Sequence, residues 1–158
     1  MDVTTTDGTT LFAQAAGDGE TVTFVGDAGY GAWQWGWQHA ALTGPFETLV
    51  YDHRGVGRSE KPPGPYSVEQ LADDLEAVLS AHGARKTHLV GAGLGGMVAL
   101  DYARRYARAR TLTLLGTAAR GRASTRRRSR QTRQTRRRFA PRSTTRCPPT
   151  SSERTMKW

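Results

Sequence analysis

The segment His88-Leu-Val-Gly-Ala-Gly-Leu-Gly-Gly-Met-Val-Ala-Leu100 is where this chain should carry its chemistry. A β-branched and apolar run enters a glycine cluster, and a helical pattern leaves it. A sharp strand-to-helix corner of this kind is where an acyl-transfer enzyme exposes its attacking side chain. Here the five corner positions read Gly91-Ala92-Gly93-Leu94-Gly95, so a residue with no side chain stands where the attack would start. Glycine adopts positive φ freely, while a larger residue held at strained angles costs about 1–3 kcal/mol. The corner keeps its shape and loses its hydroxyl.

The same glycines spell a second chemistry. Gly91-x-Gly93-x-x-Gly96 after a strand is a G-x-G-x-x-G fingerprint, which lets a pyrophosphate approach the backbone at a helix N-terminus. The stretch Val90–Gly96 resembles that of flavoproteins. That fold also needs an acidic residue roughly 20 positions on, at the end of the next strand, to hold the ribose hydroxyls. The next strand ends Leu114-Leu115-Gly116-Thr117, and no Asp or Glu lies between Asp101 and Glu153. About 90 residues precede the cluster, whereas the fingerprint ordinarily opens its fold. FAD or NAD binding through Gly91, Gly93 and Gly96 is therefore the alternative, and no cofactor is expected.

Other reactive types are sparse. Ser59 lies in a glycine-rich loop and reads as structural. His53 and His39 qualify as bases by residue type alone, with no visible orienting partner. Asp52 and Arg54 read as loop anchors, through hydrogen bonds and an ion pair. Trp33, Trp35 and Trp37 read as core and pocket wall. No Cys/His spacing suits a metal, so no metal site is expected.

The elements that must position the corner alternate in type. Val3–Thr6 and Thr9–Ala15 flank Asp7-Gly8, which predicts a two-residue hairpin. Thr21–Val25 reads as a buried strand ending in the loop Gly26-Asp27-Ala28-Gly29. Trp33–Leu42 suits a helix with Trp33, Trp37 and Ala41 on one face, and Phe46–Tyr51 a further strand. Ser67 is an N-cap with Gln70 at the capping-box position, and Gly83 fits the position past the helix end. Between them Val68, Leu71, Ala72, Leu75, Val78, Leu79 and His82 form one apolar stripe. Thr87–Val90, Gly96–Tyr106 and Thr111–Leu115 read as strand, helix and strand. Such alternation implies an α/β domain, its parallel sheet covered by helices on both faces.

Charge divides the chain of 158 residues in two. Residues 1–119 carry 9 Lys and Arg against 13 Asp and Glu, a net of −4. Residues 120–158 carry 14 Lys and Arg against Glu153 alone, a net of +13. The first piece reads as one folded domain. The second has no hydrophobic period and reads as a disordered, Arg-rich tail. Such a tail binds nucleic acid incidentally at low salt and releases it as salt rises. It also reads as a solvated extension or, preferentially, as a shifted reading frame, because repeated GAC codons yield Arg and Thr out of frame. The lone Cys147 precludes an internal disulfide. No basic and apolar leader opens the sequence, and no stretch nears the roughly 20 apolar residues of a membrane span. A cytoplasmic protein with no membrane partner is the expectation; the oligomeric state stays open.

The series Asp52-His-Arg-Gly-Val-Gly-Arg-Ser59, Lys61-Pro-Pro63 and Tyr66-Ser67, with Thr21–Gly29, the tryptophan segment to Gln38 and Gly91–Ala103, resembles the α/β-hydrolase superfamily. The likeness covers about residues 9–119 and leans towards esterases, lactonases and epoxide hydrolases. It implies an α/β-hydrolase fold: an N-terminal hairpin, then a mostly parallel sheet, truncated after about the sixth strand. The family's nucleophile falls on Gly93. Its oxyanion donors fall on the backbone N–H groups of Leu94 and Ala28. Asp27, where the family commonly has glycine, puts a negative charge beside that nest. The family's acid and histidine follow the sixth strand, and beyond Leu115 this sequence has no histidine and only Glu153. The resemblance thus implies a hydrolase-like pseudoenzyme, inactive as written, or a non-catalytic relative holding a small hydrophobic ester-like ligand.

Overall fold

The computed structural model describes residues 1–119, and the tail assigned from the sequence lies outside them. Six strands make one sheet in the order β1-β2-β4-β3-β5-β6. They are β1 (Asp2–Thr4), β2 (Thr10–Ala16), β3 (Thr21–Val25), β4 (Glu47–Tyr51), β5 (Thr87–Ala92) and β6 (Ala109–Leu115). The β1–β2 and β2–β4 pairs are antiparallel, while β4–β3, β3–β5 and β5–β6 are parallel. This is the mostly parallel α/β sheet expected, with β1 and β6 as its edges among the described strands and β6 as the parallel one. Its outer face is open, leaving Leu112, Leu114 and Leu115 exposed.

Two helices cover one face. In α2 (Val68–His82), Leu71, Leu75, Val78 and Leu79 are buried, so the 3/4 spacing of apolar residues becomes a packed stripe. Ser67 Oγ accepts the Gln70 N–H at 3.1 Å, and Gly83 ends the helix in left-handed conformation at φ 80°. The Gln70 side chain does not close the capping box; its amide turns to Asp7 instead. Beside it, α3 (Leu94–Arg105) buries Val98, Ala99 and Tyr102. Both helices pack on Leu11, Leu49, Tyr51 and Leu89. A short 3-10 turn (Ala32–Trp35) and α1 (Gly36–Leu42) lie on the opposite face, where Val22, Phe24, Val50, Ala32 and Trp35 form a second cluster. Alternate strand residues feed the two clusters, as the period of two requires.

Two expectations change. The Asp7-Gly8 dipeptide does not make a two-residue hairpin: Thr4 pairs with Thr10, and a five-residue loop joins the strands. Gly8 donates to the Thr5 carbonyl at 3.0 Å, and Thr5 to that of Thr9 at 2.9 Å. Asp7 Oδ1 accepts from the Thr5 hydroxyl and the Thr9 N–H, which closes the longer loop from within. The tryptophan segment also differs. Its regular helix starts at Gly36 and buries no residue. Trp33 is 71% and Trp37 89% exposed, and only Trp35 packs inward, its ring centroid 5.2 Å from that of Phe24.

A buried ion pair fixes the loop after β4. Arg54 Nε and Nη2 each donate to Asp74 of α2 at 2.6 Å. Arg54 Nη1 reaches Asp7 at 2.8 Å, tying in the β1–β2 loop. The guanidinium holds the Asp7 carboxyl well below the usual carboxylate range. Asp74 is 1% exposed, so it cannot turn to water if its partner is lost. Arg54→Ala should cost about 3–5 kcal/mol in urea unfolding, because it strands the buried Asp74 carboxylate, whereas the apolar pair Arg54→Met/Asp74→Leu should cost far less.

Candidate functional site

The corner is made of backbone. Strand β5 runs to Ala92 and α3 begins at Leu94, so Gly93 alone turns the chain. Its φ of 52° and ψ of −114° lie where side chains are strained. The strand and helix therefore approach closer than the expected bounds of Val90 and Gly96 suggest. A Cβ on Gly91 would lie 2.6 Å from the Gly95 carbonyl oxygen, and one on Gly95 would overlap that of Val25 in β3. From the β6 side, Gly93 N–H donates to the Leu115 carbonyl at 2.9 Å, and Thr117 Oγ1 donates to the Gly93 carbonyl at 2.7 Å.

The loop after β3 faces this corner. Gln34 Oε1 accepts the Asp27 N–H at 2.9 Å, and the Asp27 carbonyl accepts from Tyr30. Asp27 Oδ1 then accepts the N–H of Ala28 at 2.7 Å and that of Leu94 at 2.8 Å. These are the two amides that the resemblance assigns as oxyanion donors. The acid does more than place charge near them: its carboxylate fills the space between. A Cβ on Gly93 would overlap that carboxylate. Carboxylate and side chain compete for one volume, and the carboxylate has it. It also sits on the α3 N-terminus, where a pyrophosphate held by Gly91, Gly93 and Gly96 would have to lie.

The other candidates are anchors. Ser59 Oγ donates to the Asp52 carbonyl at 2.6 Å and accepts the Phe12 N–H at 2.9 Å. Asp52 accepts the N–H of Ala32 at 2.5 Å and of Arg58 at 2.9 Å, which joins the loop after β4 to the tryptophan segment. Gly31 and Gly57 leave room for its carboxylate. His53 is buried; its Nε2 donates to the Gly26 carbonyl at 3.1 Å and its Nδ1 has no partner. Burial pulls its imidazole pKa down against the opposing Gly26 hydrogen bond. His39, on α1, is half-buried with Nδ1 unpartnered. Two surface hollows of about 600 and 460 Å³ are lined by other residues, Asp73 and Tyr106 in one, Met97 and Asp101 in the other. Asp74, Gln34 and Thr117 escaped the sequence reading. Asp74 alone had a signal, an acid inside the apolar stripe of α2. Among the described residues no cluster suits a metal, and no helix is long and apolar enough to cross a membrane.

Comparison with known proteins agrees with this architecture. Residues 28–150 match the family model described as alpha/beta hydrolase fold. A protein provisionally named carbamate hydrolase RutD from Caulobacter segnis is 43% identical over 86 residues, covering 53% of this chain and 32% of its own. An esterase structure from Thermogutta terrifontis superposes with a TM-score of 0.74 at 32% identity, over 87% of this chain and 53% of that one. An enol-lactonase from Burkholderia xenovorans gives 0.72 at 31%, over 76% and 48%. The chain spans about a third of the length of the curated relative and about half that of the solved structures.

Two outcomes test the geometry. Gly93→Ala should lower stability by about 1–3 kcal/mol. In a double-mutant cycle with Asp27→Gly the combined loss should fall short of the sum, since one clash is shared. Because His53 has a depressed pKa in the folded state, the unfolded chain takes up its proton first as pH falls. Stability should be full above about pH 6.5 and decline below it. His53→Gln, which keeps a donor for Gly26, should flatten that decline in urea midpoints measured between about pH 6.5 and 5.

Proposed function

The chain belongs to the alpha/beta hydrolase fold family, and on that premise we propose that it is a non-cleaving relative of ester, lactone, epoxide and carbamate hydrolases. Its kinship with esterases, lactonases and carbamate hydrolases rests on the family match and on its curated and structural relatives. The reading of inactivity rests on one observation: position 93 has no side chain, and the Asp27 carboxylate stands in its place. Acyl transfer needs an oxygen or sulfur nucleophile at the corner and a nest open to the oxyanion that develops. Here the first is missing and the second is filled. A serine-less site with an open nest would still retain about 10³–10⁴-fold over water; a filled nest forfeits that as well.

In this reading the protein is a binding scaffold for a small apolar, ester-like molecule. Tyr30 and Trp33, their rings 5.3 Å apart and both exposed on the loop beside the nest, support it by offering aromatic contact. The dinucleotide alternative is less favoured, because the Asp27 carboxylate meets the helix N–H that a phosphate would need. Residues 120–158, with net charge +13, add salt-sensitive and sequence-independent polyanion binding, whether or not they arose from a shifted frame.

The test is release of p-nitrophenol from p-nitrophenyl acetate. The purified chain should match the buffer rate and show no acyl adduct in its intact mass. A burst of product with a stable adduct, undiminished by Gly93→Ala, would overturn the reading.

A further inference from the structure

Independently of any small ligand, we propose that the aromatic ridge Tyr30–Trp33–Trp37 is a docking face for the surface of an anionic lipid bilayer, with the positive charge of residues 120–158 as the second attachment.

The ridge exists because the tryptophan segment carries two apolar stripes where a surface helix carries one. The 3-10 turn Ala32–Trp35 leads directly into α1. Trp35 and Leu42 take the sheet side, in the cluster with Val22, Phe24 and Val50. Trp33, Trp37 and Ala41, four residues apart in turn, share the other side, and all three are exposed. Tyr30 extends the stripe by one more turn, its ring 5.3 Å from that of Trp33. Exposed aromatics in a row, rather than singly, mark a surface that meets a partner.

Three features select lipid as that partner. First, the ridge is built of Trp and Tyr, whose apolar rings carry one polar N–H or O–H. Such side chains settle at the boundary between lipid headgroups and acyl chains. Second, no Asp, Glu, Lys or Arg occurs from Ala28 to Phe46. No charge on that stretch has to leave water as the rings enter, and no cation stands among them to track a nucleic-acid backbone, as a stacking platform for single strands requires. Third, interfacial binding gains from buried apolar area and from attraction to anionic lipid together. The chain has both: the ridge, and a net charge of +13 over residues 120–158. The expected absence of a membrane partner rested on the lack of a spanning stretch, and contact in the plane of the interface needs none.

The experiment is co-sedimentation of the full chain with vesicles of phosphatidylcholine and phosphatidylserine, with pure phosphatidylcholine vesicles as the neutral control. The natural chain should bind the mixed vesicles, prefer them to the control, and keep part of its affinity at about 0.5 M salt, where surface charge is screened within a few Å. Trp33→Ser/Trp37→Ser should bind at least about tenfold more weakly at either salt concentration. Ala41→Asp adds a charge to the ridge without removing packing, so it should weaken binding in the same sense even if the double variant fails to fold. Equal affinity of these variants and the natural chain would leave charge alone as the attachment and overturn the proposal. So would a dimer in lipid-free solution that loss of the two tryptophans abolishes, or binding of an oligothymidylate that weakens with their loss while vesicle binding does not.

Discussion

Three backbones meet at the corner without a side chain between them, and the rest of the site follows from that contact. Gly91 and Gly95 let β5, α3 and the end of β3 pack carbonyl to Cα. A methyl group at either position would push the helix off the sheet, since packed interiors have no spare volume to absorb it. The close approach aims the first helical amide, that of Leu94, at the loop after β3. A nest of amides therefore survives whatever side chain stands at position 93. The amides that meet the Asp27 carboxylate belong to the backbone, and position 93 between them is a glycine with no side chain.

The loops around the corner are held by charge taken out of water. Asp52 is 3% exposed and accepts amides from the tryptophan segment and from Arg58. Arg54, equally buried, bridges α2 and the β1–β2 loop. A carboxylate that accepts backbone N–H groups, or a guanidinium paired on both sides, offsets a desolvation cost that neither ion could bear alone. These anchors explain why residues of reactive type, Ser59 and His53 included, serve architecture. The Ser59 hydroxyl and the His53 Nε2 are spent on backbone partners.

Asp27 joins these two themes. In an active acyl-transfer site an unfilled nest is the resource that stabilises developing charge. Here Asp27, two residues past the end of β3, supplies permanent charge to it. The Asp27 carboxylate and a Cβ at position 93 compete for one volume, so the glycine and the acid fit together sterically.

Fold class was legible in the amino-acid sequence because it rests on local periodicity. The stripe of α2, its Ser67 and Gly83 caps and the β5–glycine–α3 succession are each written within a few residues, and so is the vacancy at Gly93. The exposure of Trp33 and Trp37 was not legible, since apolar character does not say whether a neighbour arrives to bury it. Nor was the five-residue β1–β2 loop, whose length depends on Asp7 and its distant partner Arg54. A hydrolase-like sheet, a glycine at the turning position of the corner and an acid in the loop after β3 could all be read along the chain. Packing alone brings this acid onto the amides of Ala28 and Leu94. A hydrogen bond between residues 27 and 94 is set by how two strands and a helix cross in space, and no spacing along the chain encodes that distance.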